Sequence, residues 1–289
     1  MRKILTALAC VGVTLSLLPA FMAPAHALDV SIGPAVWYAW WTPAFWEEWK
    51  KASHNEPGES YLDSDINSTF MVGPAFALSF SPKWSLTGVL MWTRWYKAEK
   101  KGLDNFGAER TEDRFDITKY DLDVAVNYAV SGSIKVFAGA KYQGYVYQTR
   151  DRNIDIASGL VVDESSGRIG WRSIGPGLGI GVSLPLGDSL FLLCNVSGIV
   201  MYSTLDTTFD EKQSWAYISY GANGSLSLAW YVDSITTTLS VGARYQYLYN
   251  DNYAAKSDSL GDNNPGSGWD KTADRFYGLT FSAVYSFEL

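Results

Sequence analysis

Apolar and polar positions alternate along much of the chain, most regularly in its second half. In segment 171–184, Ile, Leu, Val and Pro occupy one set of alternate positions, and Gly and Ser occupy the other. Successive side chains of a β-strand point to opposite faces, so an alternation of period two predicts a strand with one apolar face. The segments end at turn or loop residues, as strands do.

Ten strands are predicted in this way. They cover 30–41, 69–80, 85–96, 117–130, 134–149, 171–184, 189–204, 215–230, 235–249 and a last strand after 273. Segment 85–96 has no decisive polar face, so the pattern leaves its inward side open. Twelve strands are the alternative, with 154–162 forming part of an extra hairpin.

The connections between these strands alternate between long and short. The five long connections cover 42–67, 97–116, 150–170, 205–214 and 250–273. Up-and-down barrels of outer membranes have long loops on the outside and short turns on the periplasmic side. About ten tilted residues per strand suffice to span the hydrocarbon. The pattern therefore predicts an all-β fold, a closed up-and-down antiparallel transmembrane β-barrel.

The first 27 residues have the layout of a secretory signal peptide. Arg2 and Lys3 give a basic start, a mostly apolar stretch follows, and Ala25-His26-Ala27 supplies small residues before the cleavage point. We expect 1–27 to be removed and 28–289 to form the barrel with its five long outer loops.

Composition narrows the classes of protein further. A formal net charge of -7 argues against a nucleic-acid partner. Aromatic residues make up 15% of the chain. They cluster at strand ends, which is typical of interfacial girdles. These clusters are Trp37, Tyr38, Trp40 and Trp41; Trp92, Trp95 and Tyr96; and Tyr245, Tyr247 and Tyr249.

The signal peptide, the ten alternating segments and an aromatic last strand (Phe281, Tyr285, Phe287) resemble a bacterial outer-membrane β-barrel protein. Leu289 departs from the aromatic final residue usual in that superfamily. The resemblance implies a cell outer-membrane location, with membrane lipid and the barrel assembly machinery as partners. A soluble β-sandwich or lipocalin-like barrel is disfavoured, because the larger apolar face lies opposite the Gly and Ser positions.

By the same alternation, seven charged side chains point into the barrel: Asp29, Lys119, Asp121, Asp123, Lys135, Lys141 and Arg244. Asp121 and Asp123 should face Lys135 or Lys141 of the neighbouring strand. Buried charges need partners or water. The group is either a salt-bridge network that stiffens the barrel or a hydrated constriction that selects small solutes.

Glycine supplies two further patterns. Gly175, Gly177, Gly179 and Gly181 line one inward face, where they either border a pore or make room for large side chains. Gly-Pro occurs at Gly33-Pro34, Gly73-Pro74 and Gly175-Pro176. Because Pro cannot donate to a ladder, Pro34 and Pro74, at similar heights on consecutive strands, indicate a pair of β-bulges or, alternatively, a weak seam through which an apolar solute leaves sideways.

The first long loop carries the remaining candidates. Thr42 and Pro43 favour a short helix that places Phe45, Trp46 and Trp49 on the rim or as a lid. His54 lies near Ser53, Glu56, Asp63 and Asp65. Asp63-Ser64-Asp65 is similar to the paired aspartates of omptin proteases, but the late Asp-x-His of that family is absent here.

The sequence thus favours a narrow porin-like channel for passive passage of small solutes. The pore-lining candidates are Asp121, Asp123, Lys135, Lys141, Arg244 and the four glycines. A structural or loop-mediated surface-binding barrel is the alternative, and an outer-membrane hydrolase a more distant one. No cofactor or metal site is expected, because no phosphate-binding or zinc-ligand spacing occurs.

Overall fold

The computed structural model describes residues 28–44, 60–62, 66–104, 109–208, 212–252 and 271–289. These residues form β-strands and tight turns, with one 3-10 turn at Asp233–Ile235. The strands are β1 (Asp29–Thr42), β2 (Ser60–Leu62), β3 (Thr69–Ser79), β4 (Trp84–Asp104), β5 (Glu109–Ala129), β6 (Ile134–Asp155), β7 (Val161–Pro185), β8 (Leu190–Thr208), β9 (Lys212–Val232), β10 (Thr237–Asn252) and β11 (Lys271–Glu288).

Ten of these strands close into an antiparallel barrel, as the alternation predicts. Each pairs with its neighbour in the chain, and β1 pairs with both β3 and β11, which closes the cylinder. Closure satisfies the backbone hydrogen bonds that lipid cannot satisfy. The short turns, the start of β1 and the end of β11 lie at one end of the barrel, which we call the turn end. We call the opposite end the loop end.

Four strands are longer than the sequence predicts. β4 continues to Asp104 and β5 begins at Glu109, while β6 and β7 remain paired as far as Ile154 and Val161. Much of the predicted loops 97–116 and 150–170 is therefore an upright sheet beyond the barrel, and β2 pairs with its β4 edge. The twelve-strand alternative is wrong, because 154–162 forms the tip of the β6–β7 hairpin.

The outer surface of the cylinder is apolar. Leu178 is 69% exposed, and large aliphatic and aromatic side chains from every barrel strand share this surface. A continuous apolar exterior around a polar interior is the arrangement that a lipid solvent requires. No helix in the described ranges is long and apolar enough to span a membrane.

The aromatic clusters divide between the two faces, so assigning all of them to interfacial girdles was wrong. Tyr38 and Trp40 face outward, whereas Trp37 and Trp41 are buried inside. In β4, a register shift between Thr93 and Tyr96 turns Trp95 outward and buries Tyr96. In β1, alternation alone dictates this split, since neighbouring residues of a regular strand point to opposite faces.

The three Gly-Pro pairs interrupt the ladder without bulging it. Pairing of β1 with β11 stops after Ile32 and resumes at Ala35 in the same register. Gly73-Pro74 and Gly175-Pro176 leave equal gaps towards β4 and β8. The bulge interpretation was therefore wrong. Pro34 and Pro74 lie opposite each other in the β1–β3 pair.

Candidate functional site

Four charged side chains meet near the middle of the lumen and are called the charged layer: Asp121, Asp123, Lys141 and Arg244. Lys141 Nζ donates to Asp121 and, at 2.9 Å, to Asp123. Arg244 Nη2 donates to the other Asp123 oxygen at 2.7 Å. β5 and β10 lie on opposite sides of the barrel. The Arg244–Asp123 pair therefore crosses the whole lumen.

A pair of uncharged side chains also crosses the lumen beside the charged layer. Gln246 Nε2 donates to Gln143 Oε1 at 2.8 Å, again from β10 to the far wall. Arg244 Nε donates to Asn223 at 3.0 Å, and its guanidinium lies 4.4 Å from the Trp37 ring centroid. Each charged group of the layer therefore has at least one ionic or hydrogen-bonded partner, as buried charges require.

Towards the loop end, rings close the lumen and form what we call the aromatic layer: Trp41, Tyr96, Tyr145, Tyr147, Trp171, Tyr217 and Phe276. All seven are nearly or completely inaccessible to water. Trp41 of β1 meets Tyr145 of β6 with ring centroids 4.8 Å apart. These strands also lie on opposite sides of the barrel. The aromatic layer therefore bridges the lumen as the charged layer does.

Lys119 is fully buried within the aromatic layer. Its Nζ lies 4.6 Å from the Trp41 ring centroid and 5.6 Å from that of Phe276, distances at which a cation interacts with a ring face. Among the described residues, Nζ has no hydrogen-bond partner. Asp274 is also buried and accepts hydrogen bonds from Trp41 Nε1 at 3.2 and 3.3 Å.

A chain of hydroxyl and amide groups runs around one wall at this level. Trp171 Nε1 donates to Ser173 at 2.7 Å, and Ser203 Oγ lies 2.7 Å from Ser173 and 2.6 Å from Ser219. Ser219 donates to Asn250 at 2.5 Å. The chain links four adjacent strands and satisfies polar groups that have no access to water.

The turn-end half of the lumen is more open, and we call it the vestibule. Small and polar side chains line it, and most are only half-buried, including Ser197, Ser225 and Ser227. The Asp123 side chain is still 28% exposed, although it lies six residues above the end of its strand. The half-buried wall and the exposed fraction of Asp123 indicate space for water in the turn-end half of the lumen.

The structure places the remaining pore-lining candidates on the vestibule wall. A Cβ at Gly179 would lie 2.3 Å from Phe137, and one at Gly181 would lie 2.4 Å from Lys135 Cε. These two glycines make room for side chains of β6. Lys135 has no ion pair within the described residues and lies near the turn end, so of the two lysines of β6 it is Lys141 that pairs with the two aspartates.

Some functional candidates were missed from the sequence, and others lie outside the described residues. Asp274, which directly follows the predicted loop 250–273, was not recognised as an inward residue, although Thr272, Asp274 and Phe276 continue the inward alternation of β11. Segment 1–27 lies outside the described residues, as do Phe45, Trp46, Trp49 and His54. The described residues contain no cluster of metal-ligating side chains.

Neither the protein-family models nor the curated proteins include a match to this chain. The outer membrane protease OmpT of Escherichia coli is similar in structure, with 10% identity and a TM-score of 0.48 over 91% of this chain and 97% of that chain. The translocator domain of the autotransporter NalP of Neisseria meningitidis has 9% identity and a TM-score of 0.40, with 97% of each chain covered.

OprG, an outer membrane protein of Pseudomonas aeruginosa, is similar at 13% identity and a TM-score of 0.33, over 92% of this chain and 97% of that chain. These values are too low to carry an argument about activity. The closed ten-stranded cylinder with its apolar exterior is decisive by itself. The fold is that of an outer-membrane β-barrel. What such a barrel does depends on its lumen and its outer surface.

Proposed function

We propose that this protein is a narrow porin-like channel of the outer membrane, closed in the conformation described here. The Arg244–Asp123 pair is the observation that carries the proposal. It separates a water-accessible vestibule from a sealed loop-end half, which is the arrangement of a channel with a constriction. Passive passage of small solutes requires the contacts that cross the lumen to part.

The charged layer sets what passes once these contacts part. Its two cationic and two anionic side chains compensate each other, so the constriction has no formal net charge. A ring of one charge selects ions of the opposite sign, whereas a compensated ring discriminates mainly by size. We therefore propose small solutes of either sign, or none, as the cargo. Lipid and the barrel assembly machinery remain the proposed partners of the exterior.

Planar-bilayer recording of an opened variant tests the proposal. Changing Trp41, Tyr145, Asp123, Arg244 and Gln246 together to serine removes the ring contact, the ion pair and the amide hydrogen bond that cross the lumen. Because both partners of the ion pair are removed, neither is left as an unpaired buried charge. We expect a conductance severalfold above that of the wild type. Trp40→Ser with Tyr142→Ser is the matched control, because these side chains face lipid.

A gel that distinguishes folded from heat-unfolded barrel must show that all three proteins fold. A folded serine variant that conducts no better than the wild type contradicts the channel. No catalytic step forms part of the proposal, and His54, which a hydrolase would use, lies outside the described residues.

The sheet that β4 to β7 form beyond the barrel supports a second function, surface binding. In the described part of the chain, residues 161–167 of β7 have a strand on one side only, because pairing with β8 begins at Ile169. Unpaired edges accept a further strand from a partner. At the hairpin tip, Leu160 is 68% exposed and Val162 is 59% exposed.

The tip is an ordered turn. Asp155 Oδ1 accepts hydrogen bonds from the Ser158 hydroxyl and N–H, both at 2.6 Å, and these bonds hold the pKa of Asp155 below its usual value. Replacing 153–162 by a two-residue turn removes the apolar tip, so it should weaken any adhesion of cells that display the barrel and leave their conductance unchanged. Unchanged adhesion would contradict surface binding.

A further inference from the structure

The vestibule combines a compensated floor, hydroxyl and amide groups on its walls and the aromatic ring of Phe137. We propose that it binds a small uncharged polyhydroxyl compound, a polyol or a monosaccharide, that enters from the turn end. This proposal names the solute class of the channel, and its transport part rests on the proposed function. The binding site itself rests on the contacts of the vestibule.

The floor of the vestibule favours a neutral ligand. Asp123 presents a partly exposed carboxylate, yet Lys141 and Arg244 already neutralise it. At the floor a charged ligand would lose its hydration and meet charges that already neutralise each other, which is unfavourable in a narrow cavity. Lys135, which has no ion pair among the described residues, lies nearer the turn end and not at the floor. A hydroxyl group can still donate to Asp123, because a carboxylate accepts more hydrogen bonds than the two it receives from these cations.

The walls offer groups that both donate and accept. Asn195 Nδ2 donates to Ser225 Oγ at 3.3 Å, level with Arg244 in the strand register. Ser197 and Asn223 form the adjacent row, and Ser227 lies one row nearer the turn end. Hydroxyl and amide side chains have donor and acceptor capacity in one group, which matches the dual capacity of a sugar hydroxyl.

Phe137 supplies the apolar element. It lies opposite Gly179 in the β6–β7 register, and its ring tip fills the space that a Cβ at Gly179 would occupy. The same cross-strand row continues through Ser197 to Asn223. A half-buried ring beside convergent polar groups is the usual composition of a small-ligand site, and the C–H faces of a sugar or polyol are apolar enough to pack on it.

Direct binding to the refolded barrel in detergent tests this inference. Glucose and glycerol are the neutral probes, and gluconate and glucosamine are the anionic and cationic ones, with binding followed by saturation-transfer NMR. We expect signals from the neutral probes that weaken with both charged ones. Stronger binding of gluconate or glucosamine than of glucose overturns the inference, as does the absence of any glucose binding.

Two variants locate the site. Ser225→Val and Ser197→Val each remove a wall hydroxyl and should weaken glucose binding by roughly fivefold to tenfold, the loss expected for one hydrogen bond. Leu226→Ala is the control, since Leu226 follows Ser225 in the strand but its side chain faces the lipid. Equal weakening by Leu226→Ala, or no effect of either valine, contradicts a vestibule site.

The two proposals fail in different ways. Glucose binding without conductance in the opened serine variant retains the binding site and rejects the channel. Conductance without binding of any neutral probe retains the channel and rejects this site.

Discussion

At the residue scale, glycines in one stripe differ in what a side chain would meet. A Cβ at Gly175 would lie 2.0 Å from Val200 O, whereas at Gly177 the nearest atom is 3.3 Å away. Overpacking a tight contact costs about 1–3 kcal/mol. Gly175→Ala should therefore lower the free energy of unfolding by about that amount, and Gly177→Ala by clearly less.

Urea unfolding in lipid vesicles, followed by tryptophan fluorescence, measures the difference. Gly198→Ala serves as control, because no atom lies within 4 Å of its added Cβ. Equal stabilities of the Gly175→Ala and Gly198→Ala variants would contradict the close approach of β7 and β8.

The charged layer allows a second test at this scale. In the opened variant, Lys141 and Asp121 remain as the two charges of the layer and compensate each other. Adding Asp121→Asn to that variant leaves Lys141 without a counter-charge, so it should shift the reversal potential in a salt gradient towards anion selectivity. The opened variant with Asp121 intact is the control. A reversal potential that does not move contradicts a constriction at this layer.

Alternation alone predicted that Asp121, Asp123, Lys141 and Arg244 point inward, because side-chain direction in a strand is fixed by parity. It did not predict that Arg244 would form an ion pair with Asp123 on the opposite wall. That contact depends on barrel closure and strand stagger, which bring together residues from β5 and β10. For the same reason, the meeting of Lys119 with Trp41 and Asp274 could not be predicted, because the three residues lie on different strands.

At the element scale, the β6–β7 hairpin extends beyond the layers that close the lumen. Its residues from Arg150 to Ser166 are mostly exposed and contribute no buried apolar side chain. Removing 153–162 should therefore leave the free energy of unfolding almost unchanged, within about 0.5 kcal/mol, the usual range for exposed positions. Urea unfolding of this deletion variant gives the answer, and a large loss of stability would contradict a hairpin independent of the barrel.

The sequence placed the ten barrel strands but not the length of β4 to β7. Charged residues such as Arg114, Asp116, Arg150 and Glu164 suggested loops, because charge is costly on a lipid-facing strand. That cost does not apply beyond the membrane, where strands pair in water and carry charges on both faces. The register shift at Thr93 was also not predictable, because aromatic residues follow it on both faces, Trp95 outward and Tyr96 inward.

At the scale of the whole molecule, the lumen has three zones along the barrel. The vestibule admits water, the charged layer crosses the lumen, and the aromatic layer seals the loop end. Composition and alternation predicted a barrel and its exterior, because lipid imposes one strong constraint on every strand. The zones arise from packing between distant strands, which a single segment does not encode.

Cysteine accessibility in proteoliposomes tests these zones most directly. In a Cys194→Ser background, Ser197→Cys places a thiol on the vestibule wall and Ser203→Cys places one in the sealed hydroxyl chain. A charged, membrane-impermeant thiol reagent should modify Cys at position 197 from the turn end only, and should leave position 203 unmodified from either side. Rapid modification of both positions, or of neither, would contradict a lumen that is open to its middle and closed above it.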